Sequence, residues 1–320
     1  MTEESITARI PPEQAGQRLD KVLAGLFPEY SRGCLQNWLK QGFIRLDGAL
    51  LQSKHKVRGG EELQMTVPDS ELVGEVQAEP IALEVVYADS ELIVIAKPVG
   101  LVVHPAVGNR AGTLQNALLH HYPELAGVPR SGIVHRLDKD TSGLLVVARS
   151  LRAHKNLVEQ MQARTVSRQY DAIVQGTLIS GGTVNEPIGR HPVDRKRMAV
   201  RQGGKDAITH YRIAEKFRHH THLLVKLETG RTHQIRVHMA HIRKPLLGDQ
   251  AYGGRLRLPP DCTEELRACL NNFKRQALHA GRLGLNHPLS GEALEWSVNM
   301  PDDMQQLLRA LREDNQHDAD

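Results

Sequence analysis

Aromatic residues are scarce in this 320-residue sequence: two Trp, six Tyr and four Phe make up 4% of it, against 40% hydrophobic residues in all. A core must therefore be assembled from Leu, Val, Ile and Ala, and a sugar cleft, usually rich in aromatic rings, is disfavoured. Cysteine is equally sparse. Cys34, Cys262 and Cys269 are odd in number and lack C-x-x-C spacing, which argues against a disulfide framework or a cysteine zinc site and fits a reducing, cytoplasmic compartment. No apolar run approaches the ~18 residues of a membrane span, and the polar, acidic start MTEESITARIPPE does not read as an export signal. No P-loop or G-x-G-x-x-G precedes a helix, so a nucleotide cofactor has no support, and no fixed-period repeat occurs.

The formal charge of +4 is too small to identify a polyanionic partner; local clustering matters more. The chain exceeds the ~250–300 residues at which one core stops growing, which predicts two domains. The pattern divides into a polar tail over 1–15, a small α+β unit over 16–68, an acidic linker over 69–80, a larger α+β domain over 81–312 and a polar tail over 313–320. In the small unit Leu19, Val22, Leu23 and Leu26 recur at helical spacing. Ser31 is placed to cap a second helix carrying Leu35, Trp38 and Leu39, which Gly42 ends. Phe43 to Leu46, the Asp47-Gly48 turn and the stretch to Val57 predict a hairpin, with ELQMTV as a further strand. Arg32, Lys40, Arg45, Lys54, Lys56 and Arg58 are candidate phosphate contacts, although scattered cations equally suit a solvated face.

The larger domain opens with two β-rich runs in LEVVYADSELIVIAKPVG, and Thr113 to His121 predicts a short helix. Ser150 can cap a helix running to about Arg164, and RQYDAIVQG reads as a strand. Residues 190–205 hold six basic residues, among them Arg190, Arg195, Lys196 and Arg197, against one acid. As a loop this would be the densest positive patch, suited to a phosphate backbone. Two strands, 207–217 and 222–228, precede a helix starting near Arg231, where free backbone N–H groups favour an anion. His233, His238 and His241 on it lack H-E-x-x-H order and a nearby acid, so no metal site is expected.

Chemistry is most concentrated in GIVHRLDKDTSGLLVVAR, residues 132–149. Here His135, Arg136, Asp138, Lys139 and Asp140 lie between two apolar runs expected to be strands. A loop fixed at both ends suits catalytic groups, and neighbouring cations favour a charged Asp138 able to act as nucleophile or base. By spacing alone, an Asp that merely ties down a turn fits as well.

Four blocks change those odds: KPVGLVVHP, HRLDKDTSGLLVVAR, RQYDAIVQG and LETGRTHQIRVHMAHIRKPLLGDQAYGG. Together they resemble a pseudouridine synthase of the RluA superfamily, in its RluD-type branch acting on large-subunit (23S) ribosomal RNA. The front end, RLDKVL followed by SRGCLQNWLKQGFIRLDG, resembles the S4-type RNA-binding domain. Its second helix carries Gly33, Gln36 and Asn37 where that family tends to be more basic. The resemblance implies an α+β fold with a mixed, mostly antiparallel sheet. It also implies no cofactor or metal, and ribosomal RNA as partner, free or in an assembling subunit. By motif position Asp138 is the carboxylate needed for catalysis. Arg136 is the arginine inserted where the target base leaves the stack, with His135 beside it as a candidate RNA contact. Tyr170 packs on the uracil, and Arg231 pairs with the aspartate.

That set fits the chemistry of uridine losing its N1–C1′ bond, turning, and rejoining through C5. The base must leave the RNA stack, at a cost of a few kcal/mol that an inserted arginine, aromatic packing and a loop target would offset. Asp138 can add to the base, attack C1′ or remove a ribose proton; Tyr170 can assist loss of the C5 proton, and Lys139 and Asp140 are candidates to support the loop. Two alternatives are a non-catalytic RNA-binding ribosome-assembly factor of the same fold, and a glycosidase pairing Asp138 with Asp140.

Overall fold

The computed structural model describes residues 4–27, 32–67, 76–105, 109–194 and 196–317. The chain divides into two compact units, Met1–Glu75 and Val76–Asp320. The smaller contains β1 (Glu4–Arg9), α1 (Leu19–Leu26), α2 (Arg32–Gln41), β2 (Ile44–Leu46) and β3 (Glu62–Val67), with the sheet ordered β1-β3-β2. Leu19, Val22 and Leu23 of α1 meet Leu35, Trp38 and Leu39 of α2 over Ile44, Leu63 and Met65 of the sheet. The helical spacing thus maps onto one buried stripe per helix. The Ser31 cap and the linker acids Asp69, Glu71 and Glu75 lie outside the described residues.

Two local expectations differ here. Much of the segment read as a polar tail is β1, antiparallel to β3, with Ile6 and Ala8 turned toward the core and Thr7 and Arg9 exposed, the period-two alternation of a strand. The Asp47-Gly48 turn forms, both residues having positive φ, yet β2 takes β3 as its partner rather than the stretch leading to Val57. That register sets Leu46 opposite Leu63 and Ile44 opposite Met65, four buried side chains that a local hairpin would not bring together.

The larger unit contains β4 (Val85–Ala88), β5 (Leu92–Lys97), α3 (Leu114–His121), β6 (Ser142–Ala148), α4 (Leu151–Gln162), β7 (Ser167–Gln175), β8 (Gly182–Asn185), β9 (Ile188–Arg190) and β10 (Met198–Val200). It continues with β11 (Ile208–Lys216), β12 (His220–Leu227), α5 (Gln234–His241), α6 (Glu264–Asn272), β13 (Leu278–Asn286), β14 (Ala293–Ser297) and α7 (Asp302–His317). Among the described residues one sheet runs β4-β5-β6-β13-β7-β12-β11-β8, with β14 on β13. Its pairings are antiparallel except β6 with β13, so the domain is α+β with a mixed, mostly antiparallel sheet.

Strands β5 and β6 are buried on both faces, which is why LIVIA and LLVVA are continuous apolar runs rather than alternating ones. Ile93, Ile95, Leu145 and Val147 join one core, whereas Leu92, Val94, Leu144 and Val146 pack with Ala153 and Leu157 of α4 in another. Thr113 and Ser150 cap α3 and α4 through their side chains. Helix α6 carries Leu266, Cys269 and Leu270 at helical spacing toward one core, and Thr263 accepts from the Leu266 N–H as its cap. Helix α7 continues through most of the expected C-terminal tail. No helix among the described residues is long and apolar enough to cross a membrane.

Candidate active site

The 133–141 loop is fixed by close backbone contacts at both ends. At Gly132 (φ 78°) a Cβ would stand 1.9 Å from the Ala148 carbonyl oxygen, and at Gly143 (φ 112°) 2.3 Å from that of Ala280. Neither position accepts a side chain without moving a strand. Ile133 and Val134 form no strand; a single bridge joins Ile133 to Val147. The loop is held instead by polar clasps. Lys97 is 1% exposed and donates to the carbonyls of Pro98 (2.7 Å), Leu101 (3.0 Å) and Lys139 (3.0 Å). Burial pushes its ammonium down to about 8, partly offset by Asp140 and Asp138. Arg275 donates to the Asp140 carbonyl at 3.2 Å.

His135, read as an RNA contact, turns inward: its Nε2 accepts from the Val146 N–H at 3.0 Å, clasping the loop to β6. Burial, with Arg168 second, pushes the imidazole down to about 3, so it is neutral, with the proton on Nδ1. Arg136 is exposed and lines the same cavity as Asp138. Asp140 lines a different cavity, with Cys269 and Arg275, which undercuts a two-carboxylate glycosidase.

The Asp138 cavity has a volume of about 310 Å³ and is shared with His104, Arg168, Tyr170, Arg231, His233 and Arg236. Arg236 Nη1 donates to Asp138 Oδ2 at 3.1 Å. Arg236 is itself held by Asp249, Nε to Oδ2 at 2.7 Å and Nη2 to Oδ1 at 2.9 Å, a bidentate fork on a buried carboxylate. Burial opposes its charge, but Asp249 and Asp138 prevail and raise its affinity for the proton. The backbone N–H groups of Ala251 and Tyr252 also donate to Asp249 Oδ1. His233 Nε2 lies 3.9 Å from Asp138 Oδ1, and burial lowers its pKa.

The pairing expected for Arg231 therefore falls to Arg236. Arg231 lines the cavity, but its Nε donates to the Asp206 carbonyl at 2.9 Å. The cause is a later helix start: His233, at φ 56°, is the N-cap of α5 and leaves Arg231 in the preceding turn, while Arg236 lies on the helix. Both arginines occur in GRTHQIR, and the absence of a side-chain cap at His233 gave no sequence signal to choose between them.

Tyr170 is 5% exposed and shares one face of β7 with Arg168. Burial raises its phenol pKa, so the side chain is neutral and a poor proton acceptor. Tyr252, absent from the motif-based set, carries the guanidinium groups of Arg236 and Arg197 over its ring, each 5.0 Å from the centroid. Its hydroxyl accepts from the Met198 N–H (2.9 Å) and meets His233 Nδ1 (2.8 Å).

The basic arm is an antiparallel ribbon rather than a loop: Met198, Ala199 and Val200 of β10 face Arg190, Gly189 and Ile188 of β9. Lys196 is exposed, Arg197 is committed to Tyr252, and Arg195 lies outside the described residues. In the smaller unit Arg32 pairs with buried Asp20 (3.0 Å), Arg45 donates to the Gly48 carbonyl (3.4 Å), and Lys40 is exposed.

A model of the RNA pseudouridylate synthase family matches residues 91–241, from the start of β5 to the end of α5. The chain is 55% identical over 309 residues to ribosomal large subunit pseudouridine synthase D of Pseudomonas aeruginosa, covering 97% of this chain and 96% of that protein. It is 51% identical over 315 residues to the protein of that name from Haemophilus influenzae, covering 98% and 97%. This chain belongs to the RNA pseudouridylate synthase family. Among solved structures it resembles human RNA pseudouridylate synthase domain containing 4 (TM-score 0.56, 25% identity, 72% of this chain, 93% of that one). It also resembles human RNA pseudouridylate synthase domain containing 1 (TM-score 0.53, 26% identity, 75% and 96%). As an RNA pseudouridine synthase, the enzyme carries the four motif blocks on the loops and strands around Asp138 or leading into them.

Proposed function

We propose that this pseudouridine synthase isomerises uridines of large-subunit ribosomal RNA in the cytoplasm, with Asp138 as the catalytic carboxylate. The observation that carries the reading is Asp138 in a cavity of about 310 Å³, held from one side by Arg236 with Tyr170 on a neighbouring wall. The near full-length identity to synthases named for the large subunit supports that substrate.

The target nucleotide swings out of the RNA, its place taken by exposed Arg136, and its uracil lies against Tyr170. Stacking on an aromatic ring is worth about 1–3 kcal/mol, comparable to the few kcal/mol of extrusion. Arg236 keeps the Asp138 carboxylate oriented toward the ribose, either to attack C1′ or to take the 2′ proton. Arg231 and the exposed cations of the β9–β10 ribbon contact phosphates, and the S4-like smaller unit adds Lys40 and Arg45. No step needs a metal or nucleotide cofactor.

The test is single-turnover pseudouridine formation on a large-subunit rRNA fragment. Asp138→Asn is expected to abolish product while RNA affinity stays within about twofold; product from that variant would overturn the assignment.

A further inference from the structure

Among the described residues, three arginines of the larger unit are less than a tenth exposed: Arg168 at 7%, Arg236 at 8% and Arg275 at 8%. Two are saturated. Arg236 holds Asp249 and Asp138, and Arg275 holds Asp303 in a fork (2.6 and 2.7 Å) plus two backbone carbonyls. Among the described residues Arg168 has neither a carboxylate nor a carbonyl partner, and its Nε is buried without one. An uncompensated buried cation is among the costliest features a fold can carry, so this one is provided for something that arrives.

Its place narrows what arrives. Arg168 lines the Asp138 cavity and lies two residues before Tyr170 on the same face of β7, about 7 Å along the strand. Its guanidinium lies against Gly230, where a Cβ would stand 2.8 Å from Nη1. The same cavity holds two more polar atoms without partners, His135 Nδ1 and His104 Nδ1. Phosphates of an RNA strand stay at the rim, near exposed Arg136, whereas the part of a flipped nucleotide that reaches a buried wall beside Tyr170 is the base.

We infer that Arg168 binds the uracil as it becomes an anion and stabilises it as leaving group and as returning nucleophile. This rests on the proposed isomerisation at Asp138. When C1′–N1 breaks, its electron pair departs with N1 and spreads over O2 and O4. The electron deficit at C1′ is met by the Asp138 carboxylate, or by the C2′–H pair as that proton moves to Asp138. The anion turns, its C5 bonds to C1′, Asp138 is expelled or returns its proton to C2′, and the C5 proton is lost as N1 gains one. No oxidant, reductant or second substrate enters. The planar fork of a guanidinium fits the carbonyl oxygens of the base, and its charge has most to act on after the bond breaks.

The experiment compares wild type, Arg168→Ala and Arg168→Lys in single turnover at saturating RNA, with uridine or 5-fluorouridine at the target position. Fluorine makes the base a better leaving group and leaves no C5 proton to lose, so bond breaking is read directly as rearranged nucleoside. On uridine, Arg168→Ala is expected to slow the step about 10²–10³-fold with RNA affinity unchanged, and Arg168→Lys less. On 5-fluorouridine the deficit shrinks by at least tenfold. An equal deficit on both bases, or a weaker RNA affinity with an unchanged saturated rate, overturns the inference, the latter indicating a phosphate contact. Gly230→Ala, whose Cβ would stand 2.8 Å from Nη1 and so shifts the guanidinium while keeping its charge, should show the same base-dependent deficit to a smaller degree; a deficit in Gly230→Ala that is equal on both bases also overturns the inference. Failure of wild type to form pseudouridine would instead refute the proposed function.

Discussion

Two aspartates, one in each unit, meet arginines in opposite ways. Asp20 of the smaller unit is fully buried and takes hydrogen bonds from Arg18 (3.1 Å) and Gln36 (2.6 Å), with Arg32 at 3.0 Å, so its oxygens are occupied. Burial alone would raise its pKa, but these three donors outweigh burial and bring it to about 2. Asp138 is partly open, takes one guanidinium bond on Oδ2, and leaves Oδ1 only a 3.9 Å approach from His233. Its arginine is anchored from behind by Asp249, so the cation is fixed without enclosing the carboxylate. A carboxylate ringed by donors is architecture; one gripped from a single side keeps lone pairs for a substrate.

Exchanging each acid for its amide breaks the comparison most directly. Asp138→Asn should remove activity by more than about 10³-fold with little change in Tm, whereas Asp20→Asn should leave the chemistry intact and lower the melting temperature of the smaller unit. Next in size is Arg236→Ala, which leaves Asp249 buried without its cation. Chemical denaturation should show a loss of about 3–5 kcal/mol in the larger unit, and activity should fall with it. A pH titration sharpens the contrast. A depressed carboxylate stabilises above its ordinary pKa of 3.8, and that stability drains away as pH falls from there through about 2. Acid unfolding of the smaller unit, followed by Trp38 fluorescence in a Trp296→Phe background, should therefore shift to higher pH in Asp20→Asn. Arg136→Ala should slow turnover by about tenfold or more on a stem target and less on an unpaired one, since the wedge offsets only the few kcal/mol of extrusion. The smallest effect is expected for Lys40→Ala or Arg45→Ala, each reducing the salt dependence of RNA binding by about one counterion without altering the saturated rate.

Much of this arrangement was legible in the chain. Helical spacing located α1 and α2, the continuous apolar runs located β5 and β6, and the HRLD block located Asp138. What could not be read depended on contacts distant in sequence. His135 looked like Arg136, a polar residue in a polar loop, until the Val146 N–H took its ring nitrogen. Arg231 and Arg236 are distinguished only by a left-handed residue that delays a helix. The partner of β2 lay beyond the nearest turn because four buried side chains outweighed local closure. Arg168, by contrast, left a readable signal: it stands two residues before Tyr170 on the same face of one strand, and a charged residue in phase with a buried face implies either a partner or a purpose.

The ring of Tyr252 has a consequence for engineering. Arg197 leans on it from the ribbon side and Arg236 from the aspartate side, while its hydroxyl takes the Met198 amide. One ring thus touches both the ribbon's arginine and the arginine that holds the aspartate. A smaller side chain would leave Arg197 without its ring while Arg236 kept the Asp249 fork, so any attempt to retune the ribbon for a different RNA should keep an aromatic residue at this position.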